Sequence, residues 1–364
     1  MLNDAGEGFL NLHEIVRAAR LKLPLHTWDY LIGGTESETT VRRNRHALDT
    51  VAFRPRVLRD VSSIDCSSSL FGVKTRLPVA LAPIGGLESF DAGGAATGAK
   101  AAGEFGVFHI VSSVCQPGLE PAAEASSGPK IFQLYVRGDD AWIDDHVHRA
   151  KAAGYNAFCL TVDTAVYSRR ERDIARRFVK PWRTRAAGLS YQAGLTWDHV
   201  KRFKDQHDLP LILKGIATAE DAVVACEHGV DVVYVSNHGG RQLDHGRGSF
   251  DVLPEVVDAV AKRAKVMVDG AFCRGTDILK AIAVGADAVG IGRLYGYGMA
   301  AGGQAGVVRM LELLEEEIVE SMGLLGVASL AELDRSFLHP AASVVEPHVH
   351  SAFPHLSLDE RDYR

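Results

Sequence analysis

The chain has 364 residues, 46% hydrophobic and 24% charged, which is ordinary for a globular protein and enough to bury a large core. Its formal net charge of -6 lacks the basic excess that tracks phosphate backbones, so nucleic acid is not an expected partner. No apolar run reaches the roughly 18 residues of a membrane-spanning helix, and the opening MLNDAGEGFLNLHE lacks a basic-then-apolar leader, so a cytoplasmic protein away from the membrane is expected.

Residues 1–77 read as helices and then a short β-rich run, VSSIDCSSSLFGVKTRLP, together an extension packed on the body of the fold. Then come eight short apolar runs bounded by turn residues. The first four are PVALAP (78–83), VFHIVS (107–112), KIFQLYV (130–136) and AFCLTVD (157–163). The others are PLILKG (210–215), VVYVSN (232–237), KVMVDG (265–270) and AVGIG (288–292). Nearly continuous apolar character is the mark of parallel strands covered on both faces.

Helical patterns fill the gaps. An amphipathic stretch over 139–153 stops at Gly154, Thr218-Ala-Glu-Asp221 has the form of an N-terminal capping box whose helix stops at Gly229, and Thr276 and Gly285 bracket another. A small repeat emerges, since Gly154-Tyr-Asn156, Gly229-Val-Asp231 and Gly285-Ala-Asp287 each close a helix just before a strand. That rhythm predicts an α/β fold, a (β/α)8 TIM barrel over 78–331, with a doubly wound open sheet as the alternative. Residues 332–364 read as an irregular tail. Five scattered cysteines without a CxxC pair read as reduced thiols. The tail histidines His339, His348, His350 and His355 lack a partner cysteine, and no metal is assigned.

In such a barrel functional groups gather at the C-terminal strand ends. The third strand ends Gln133-Leu-Tyr135, the fourth Thr161-Val-Asp163, the fifth Lys214-Gly215 and the sixth Ser236-Asn-His238-Gly-Gly-Arg241, while the last two end Asp269-Gly270 and Gly292-Arg293. Singly, each has a bland reading as a packed histidine, a solvated lysine or a turn. Together at one rim they point to a site. His238 with Asp163 makes a base with an orienting carboxylate, and Arg170 and Arg241 are suited to clamp a substrate carboxylate. Gly270 and Gly292-Arg293 suit a phosphate, and Lys214 suits a redox ring that becomes anionic.

These residues resemble the FMN-dependent 2-hydroxy acid oxidases and dehydrogenases, the family of glycolate oxidase, lactate oxidase and mandelate dehydrogenase. The similarity runs from about Pro24 to Leu330, and its most specific piece is Val235-Ser-Asn-His-Gly-Gly-Arg-Gln-Leu-Asp244, with FRPR (53–56), FQLY (132–135), LTVD (160–163), ILKG (212–215), DGxxxRGTD (269–277) and IGR (291–293) in support. The resemblance implies oxidation of an L-2-hydroxy acid to the 2-oxo acid, electrons passing to oxygen or another acceptor. It implies that His238 takes the proton, that Asp163 pairs with it, and that Tyr30 and Tyr135 join Arg170 and Arg241 around the substrate. For FMN it implies Lys214 at the ring, with Gln133, Thr161, Ser112 and Ser236 on the ring or ribityl chain. Asp269 and Gly270 would lie at the ribityl–phosphate region, Gly292 and Arg293 at the phosphate, and the Pro83, Ile84, Gly85 backbone against the ring. It also implies a homotetramer.

Some positions depart from the family pattern. Ile84 replaces a usual Thr and Gly85 an Ala, while Ala271 and Cys273 stand where Gly and a phosphate-binding Arg are common, which shifts the expected phosphate grip to Arg274 or loosens it. Val114 replaces a tryptophan of glycolate oxidase, Ala165 a proline, and the lid over 164–209 is short. More room over the flavin favours a bulkier or aromatic substrate. Alternatives left open are a decarboxylating 2-monooxygenase, a non-redox FMN barrel such as an isomerase, and a barrel that only binds an acidic metabolite.

Overall fold

A computed structural model describes residues 8–180 and 188–356. Eight parallel strands close into a barrel. They are β1 (Val79–Leu81), β2 (Phe108–Ser112), β3 (Lys130–Leu134), β4 (Ala157–Thr161), β5 (Leu211–Ile216), β6 (Val232–Val235), β7 (Lys265–Val268) and β8 (Ala288–Ile291). Each lies on one of the eight apolar runs, with bounds that differ from it by at most two residues at either end. The closing pair is β8 with β1, in register at Gly290 and Ala80, which removes the open-sheet alternative.

The barrel interior is a separate apolar cluster that includes Phe108, Ile131, Ile212, Tyr234 and Met267. The β-rich run before the barrel forms a hairpin, Ser68–Leu70 against Val73–Thr75, and its Leu70 packs into this cluster. It plugs one end of the barrel, with Phe71 edge-on to Phe108 at 6.2 Å between centroids. The other apolar faces of the strands pack outward against the helices.

The glycine repeat has a structural reason beyond ending helices. The Asn156 side-chain oxygen accepts the Lys130 N–H at 2.9 Å, Asp231 accepts that of Leu211 at 2.8 Å, and Asp287 accepts that of Val266 at 2.8 Å. Each repeat therefore caps the start of the preceding strand and satisfies a donor that no ladder partner reaches.

The N-terminal extension supplies helices Leu12–Lys22, Leu25–Ile32 and Thr39–Asp49. Arg45 from the third makes a buried bidentate bond to Asp277, 2.8 Å at each nitrogen, and reaches the Ala271 carbonyl at 3.2 Å. Asn44 exchanges amide hydrogen bonds with Asn237. The extension is thus bolted to the loops after β6 and β7. The tail is more ordered than its composition suggests: Leu338–Pro340 pairs with Val51–Phe53, His350 stacks on Trp28 at 5.4 Å, and Phe353 is buried. No helix among the described residues is long and apolar enough to cross a membrane. Residues 181–187 of the segment read as a short lid lie outside the described residues.

Candidate active site

Residues at the C-terminal ends of all eight strands line one cavity of about 470 Å³. That volume is in the range of small-molecule and cofactor sites. Its centre is His238, three residues past β6 and held in the left-handed region at φ 59°, a conformation of the sort that clusters at functional sites. The His238 N–H donates to Ser236 Oγ at 3.0 Å, its Nδ1 lies 3.0 Å from Asp163 Oδ1, and its Nε2 lies 3.1 Å from the Tyr135 hydroxyl. The carboxylate fixes the ring proton on Nδ1, so Nε2 keeps its lone pair on the cavity side.

Burial pushes the Asp163 carboxyl up, but His238 and Lys214 outweigh it and hold it below its ordinary value. Burial, with the charges of Lys214 and Arg170, lowers His238 below the ordinary imidazole value of 6.5 against the opposing pull of Asp163. At neutral pH the pair is a neutral imidazole on an ionised carboxylate, the form a general base needs.

Of the arginines that line the same cavity, Arg170, Arg241 and Arg293 make no salt bridge among the described residues. Arg241 donates to the Leu31 carbonyl at 2.5 Å, and Arg293 to the carbonyls of Ile32 and Gly33 at 3.1 and 2.8 Å. The buried Nε of Arg170 has no hydrogen-bond partner among the described residues. Burial, with the charges of Arg293 and Arg170, lowers Arg241 to about 10. Clustered, desolvated cations are stable only when anions enter. Tyr30, brought in by the second N-terminal helix, lies under Arg241 with 5.2 Å from guanidinium to ring, and donates to the Gly85 carbonyl at 2.7 Å.

On the opposite side Lys214 Nζ bonds Ser236 Oγ at 2.8 Å and pairs with Asp269 at 3.2 Å, and Ser236 donates to Asp269 at 2.6 Å. Burial pushes Lys214 down, yet Asp269 and Asp163 outweigh it and raise it, so the ammonium stays charged. Strand register sets Ser112 beside Gln133 and Thr161 beside Lys214. Gln133 Nε2 donates to Thr161 at 2.8 Å, while its buried Oε1 has no partner among the described residues. Ser112, Gln133, Thr161 and Ser236 are buried and are not among the residues that line the cavity.

The loops after β7 and β8, the expected phosphate end, are glycine-rich. A Cβ on Gly292 would meet no protein atom within 4 Å, and Gly270 has φ 113°. Ala271 also takes the left-handed region at φ 66°, which explains why glycine suits this position better. Arg274, the expected second phosphate grip, is not among the residues that line the cavity. Its guanidinium is held by Glu317 at 2.5 Å and reaches the Ala352 carbonyl at 3.3 Å. Arg293 is left as the cation at that end. Cys273 lines the cavity as a buried thiol whose pKa burial pushes up to about 12.

The sequence profile of the FMN-dependent dehydrogenases matches residues 19–340. The chain belongs to that family. An L-lactate oxidase of Nostoc sp. is 40% identical over 91% of this chain and 98% of its own, and glycolate oxidase 1 of Oryza sativa subsp. indica is 39% identical over 91% and 96%. A crystal structure of mandelate oxidase superposes with a TM-score of 0.86 at 38% identity, covering 93% of this chain and all of the other. This FMN-dependent dehydrogenase is therefore an oxidoreductase that uses FMN to oxidise 2-hydroxy acids. The residues fit that cofactor: the lone Gln133 oxygen, the charged Lys214, the open face of Gly292 and the unneutralised Arg293 answer a polar ring edge and a phosphate.

Several neighbours of the site were not singled out from the sequence. Arg137 lines the cavity two residues after Tyr135, a period-two spacing that could have flagged it. Tyr167 also lines the cavity, and Lys180 is buried between the Tyr30 and Tyr167 rings at 5.4 and 5.0 Å, bonded to Asp173. Gln192 donates to the Thr161 carbonyl at 2.8 Å and accepts the Val136 N–H at 2.7 Å. Nothing local in the sequence announces Lys180 or Gln192, since both act through long-range return of the chain.

Proposed function

We propose that this enzyme oxidises an L-2-hydroxy acid larger than glycolate to its 2-oxo acid, with His238 as base and molecular oxygen as electron acceptor. The observation that carries the reading is His238, held by Asp163 at Nδ1 with its Nε2 beside the Tyr135 hydroxyl, in a cavity that also presents Arg170 and Arg241. Bound FMN supplies a two-electron acceptor. Arg170 and Arg241 clamp the substrate carboxylate, and the Tyr30 and Tyr135 hydroxyls orient the reacting carbon. His238 Nε2 takes the proton released as the alcohol carbon becomes a carbonyl, and Asp163 stabilises the resulting imidazolium. Lys214 offsets negative charge that collects at the ring, and Gly270, Gly292 and Arg293 hold the phosphate, with Pro83, Ile84, Gly85, Ala271 and Asp269 against the rest of the cofactor. The apolar wall of Ile84, Val114, Ala165 and Phe272 leaves room for a side chain beyond a methyl group.

Support for oxygen comes from the relatives, which are named as oxidases. The test is a size series of 2-hydroxy acids from glycolate through lactate to mandelate, with both peroxide release and oxo-acid formation measured. The reading expects kcat/KM to rise along the series, with one peroxide per oxo acid. Highest activity on glycolate overturns the size assignment, and oxo acid formed without peroxide overturns the oxygen assignment.

A further inference from the structure

The two arginines proposed to clamp the substrate carboxylate each stand on a tyrosine ring. The Arg170 guanidinium lies 4.9 Å from the centroid of Tyr167, and that of Arg241 lies 5.2 Å from Tyr30. Lys180 touches both rings, its ammonium 5.0 Å from Tyr167 and 5.4 Å from Tyr30, and it donates to the Tyr167 hydroxyl. The same ammonium holds Asp173, and both members of this pair are buried. Local structure brings them together. The helix Glu171–Ala175 closes with the Phe178 N–H on the Asp173 carbonyl and the Arg177 N–H on that of Ile174, with Arg177 left-handed at φ 50°, so the chain turns back and lays Lys180 beside Asp173. Asp173 is electrically close to the clamp: burial, Arg293 and Arg170 lower Arg241, and Tyr30 and Asp173 oppose them. Two neighbouring carboxylates are also held from outside the cavity, Glu38 by Arg172 at 2.6 Å and Asp29 by Arg176 at 2.7 Å and Arg172 at 3.5 Å. Among the described residues none of the three forms a salt bridge with Arg170, Arg241 or Arg293.

A buried carboxylate without a partner is costly and draws in whatever cation can reach it. For an unpaired Asp173 those cations are Arg241, which already feels its charge, and Arg170, the N-cap of the helix that carries it. A clamp so captured meets the substrate already neutralised. Resting on the function proposed above, we propose that Lys180 is a positioning residue that sequesters Asp173 and so keeps Arg170 and Arg241 open for the substrate carboxylate. Lys180 does not itself line the cavity and acts through the clamp.

The test uses the FMN-loaded enzyme and reads carboxylate binding apart from turnover. Pyruvate and benzoylformate, the 2-oxo acids of lactate and mandelate, are titrated against the flavin spectrum of the wild type, Lys180→Met, Asp173→Asn and the double variant. Lys180→Met should raise both dissociation constants by roughly tenfold or more, the strength of a competing ion pair. In anaerobic reduction by lactate or mandelate it should raise the half-saturating concentration, while the limiting rate of flavin bleaching changes far less. Asp173→Asn alone should leave the constants unchanged or lower them, since the carboxylate it removes opposes the bound anion. The double variant should return close to the wild type, a rescue that a purely structural role for Lys180 does not give. Affinity that stays lost in the double variant, or Lys180→Met binding as tightly as the wild type, overturns the proposal. So does a weakening of about tenfold by Asp173→Asn, and that variant decides the matter by itself if Lys180→Met does not fold. All three results leave the hydroxy-acid reading intact. A wild type that neither binds these acids nor is bleached by any 2-hydroxy acid would instead strike the underlying function, and this proposal with it.

Discussion

The two ends of the large cavity are built differently. At the end proposed for the substrate, Asp163, His238 and Tyr135 form a continuous hydrogen-bonded line, and neither Arg170 nor Arg241 makes a salt bridge among the described residues. At the end proposed to hold the phosphate, Arg293 lines the cavity, Cys273 stands buried and Arg274 is committed to Glu317. On the proposed function the contrast is between groups that do chemistry and groups that share the binding of a multivalent cofactor. Substitutions at either end should separate turnover from cofactor retention if that division is real.

The largest effect after loss of the base should come from Arg170→Leu. Removing one partner of a desolvated charge pair costs about 2–5 kcal/mol, so kcat/KM for any 2-hydroxy acid should fall by two orders of magnitude or so while bound flavin is retained. At the other end, Arg293→Met should raise the FMN dissociation constant by roughly tenfold or more, the loss of a charge-assisted phosphate contact. Arg274→Ala should leave that constant unchanged, because its guanidinium serves Glu317. Fluorescence titration of apoprotein with FMN checks both variants.

The pH profile probes the same division. His238 must be neutral to act, so kcat/KM should fall with unit slope as pH drops through a pKa below 6.5, and hold its plateau above it. Arg241 must stay charged to hold a carboxylate, which puts the alkaline limb no lower than about 10. Asp163→Asn removes the group that raises His238, so the acid limb should move to lower pH as the rate falls. The smallest effect is Ala271→Gly, which relieves a left-handed alanine and should gain roughly 1 kcal/mol of stability in denaturant melts without a change in turnover.

Much of this was legible in the sequence, for reasons that differ by region. Barrel strands buried on both faces must be apolar throughout, so all eight runs stood out, and their polar terminal residues marked the rim. The pairing of His238 with Asp163 came from strand ends that share one rim. Legibility failed where a side chain's choice depends on distant partners. Arg274 follows the family spacing yet is captured by Glu317, forty-three residues on, from the helix that follows the kink at Gly302 and Gly303. Lys180 lies between two tyrosines only because the chain after β4 folds back over the N-terminal helix. The tail reads as irregular because its order comes from docking His350 and Phe353 onto Trp28 and Tyr297 rather than from any internal period.

The most direct test of the account is stopped-flow reduction of the bound FMN by mandelate or lactate without oxygen, in the wild type and in His238→Gln. The account predicts rapid bleaching of the wild-type flavin band and a rate lower by about 10²–10⁴ in the variant, with the cofactor still bound, the magnitude of a lost general base. Bleaching of the variant at the wild-type rate would contradict it.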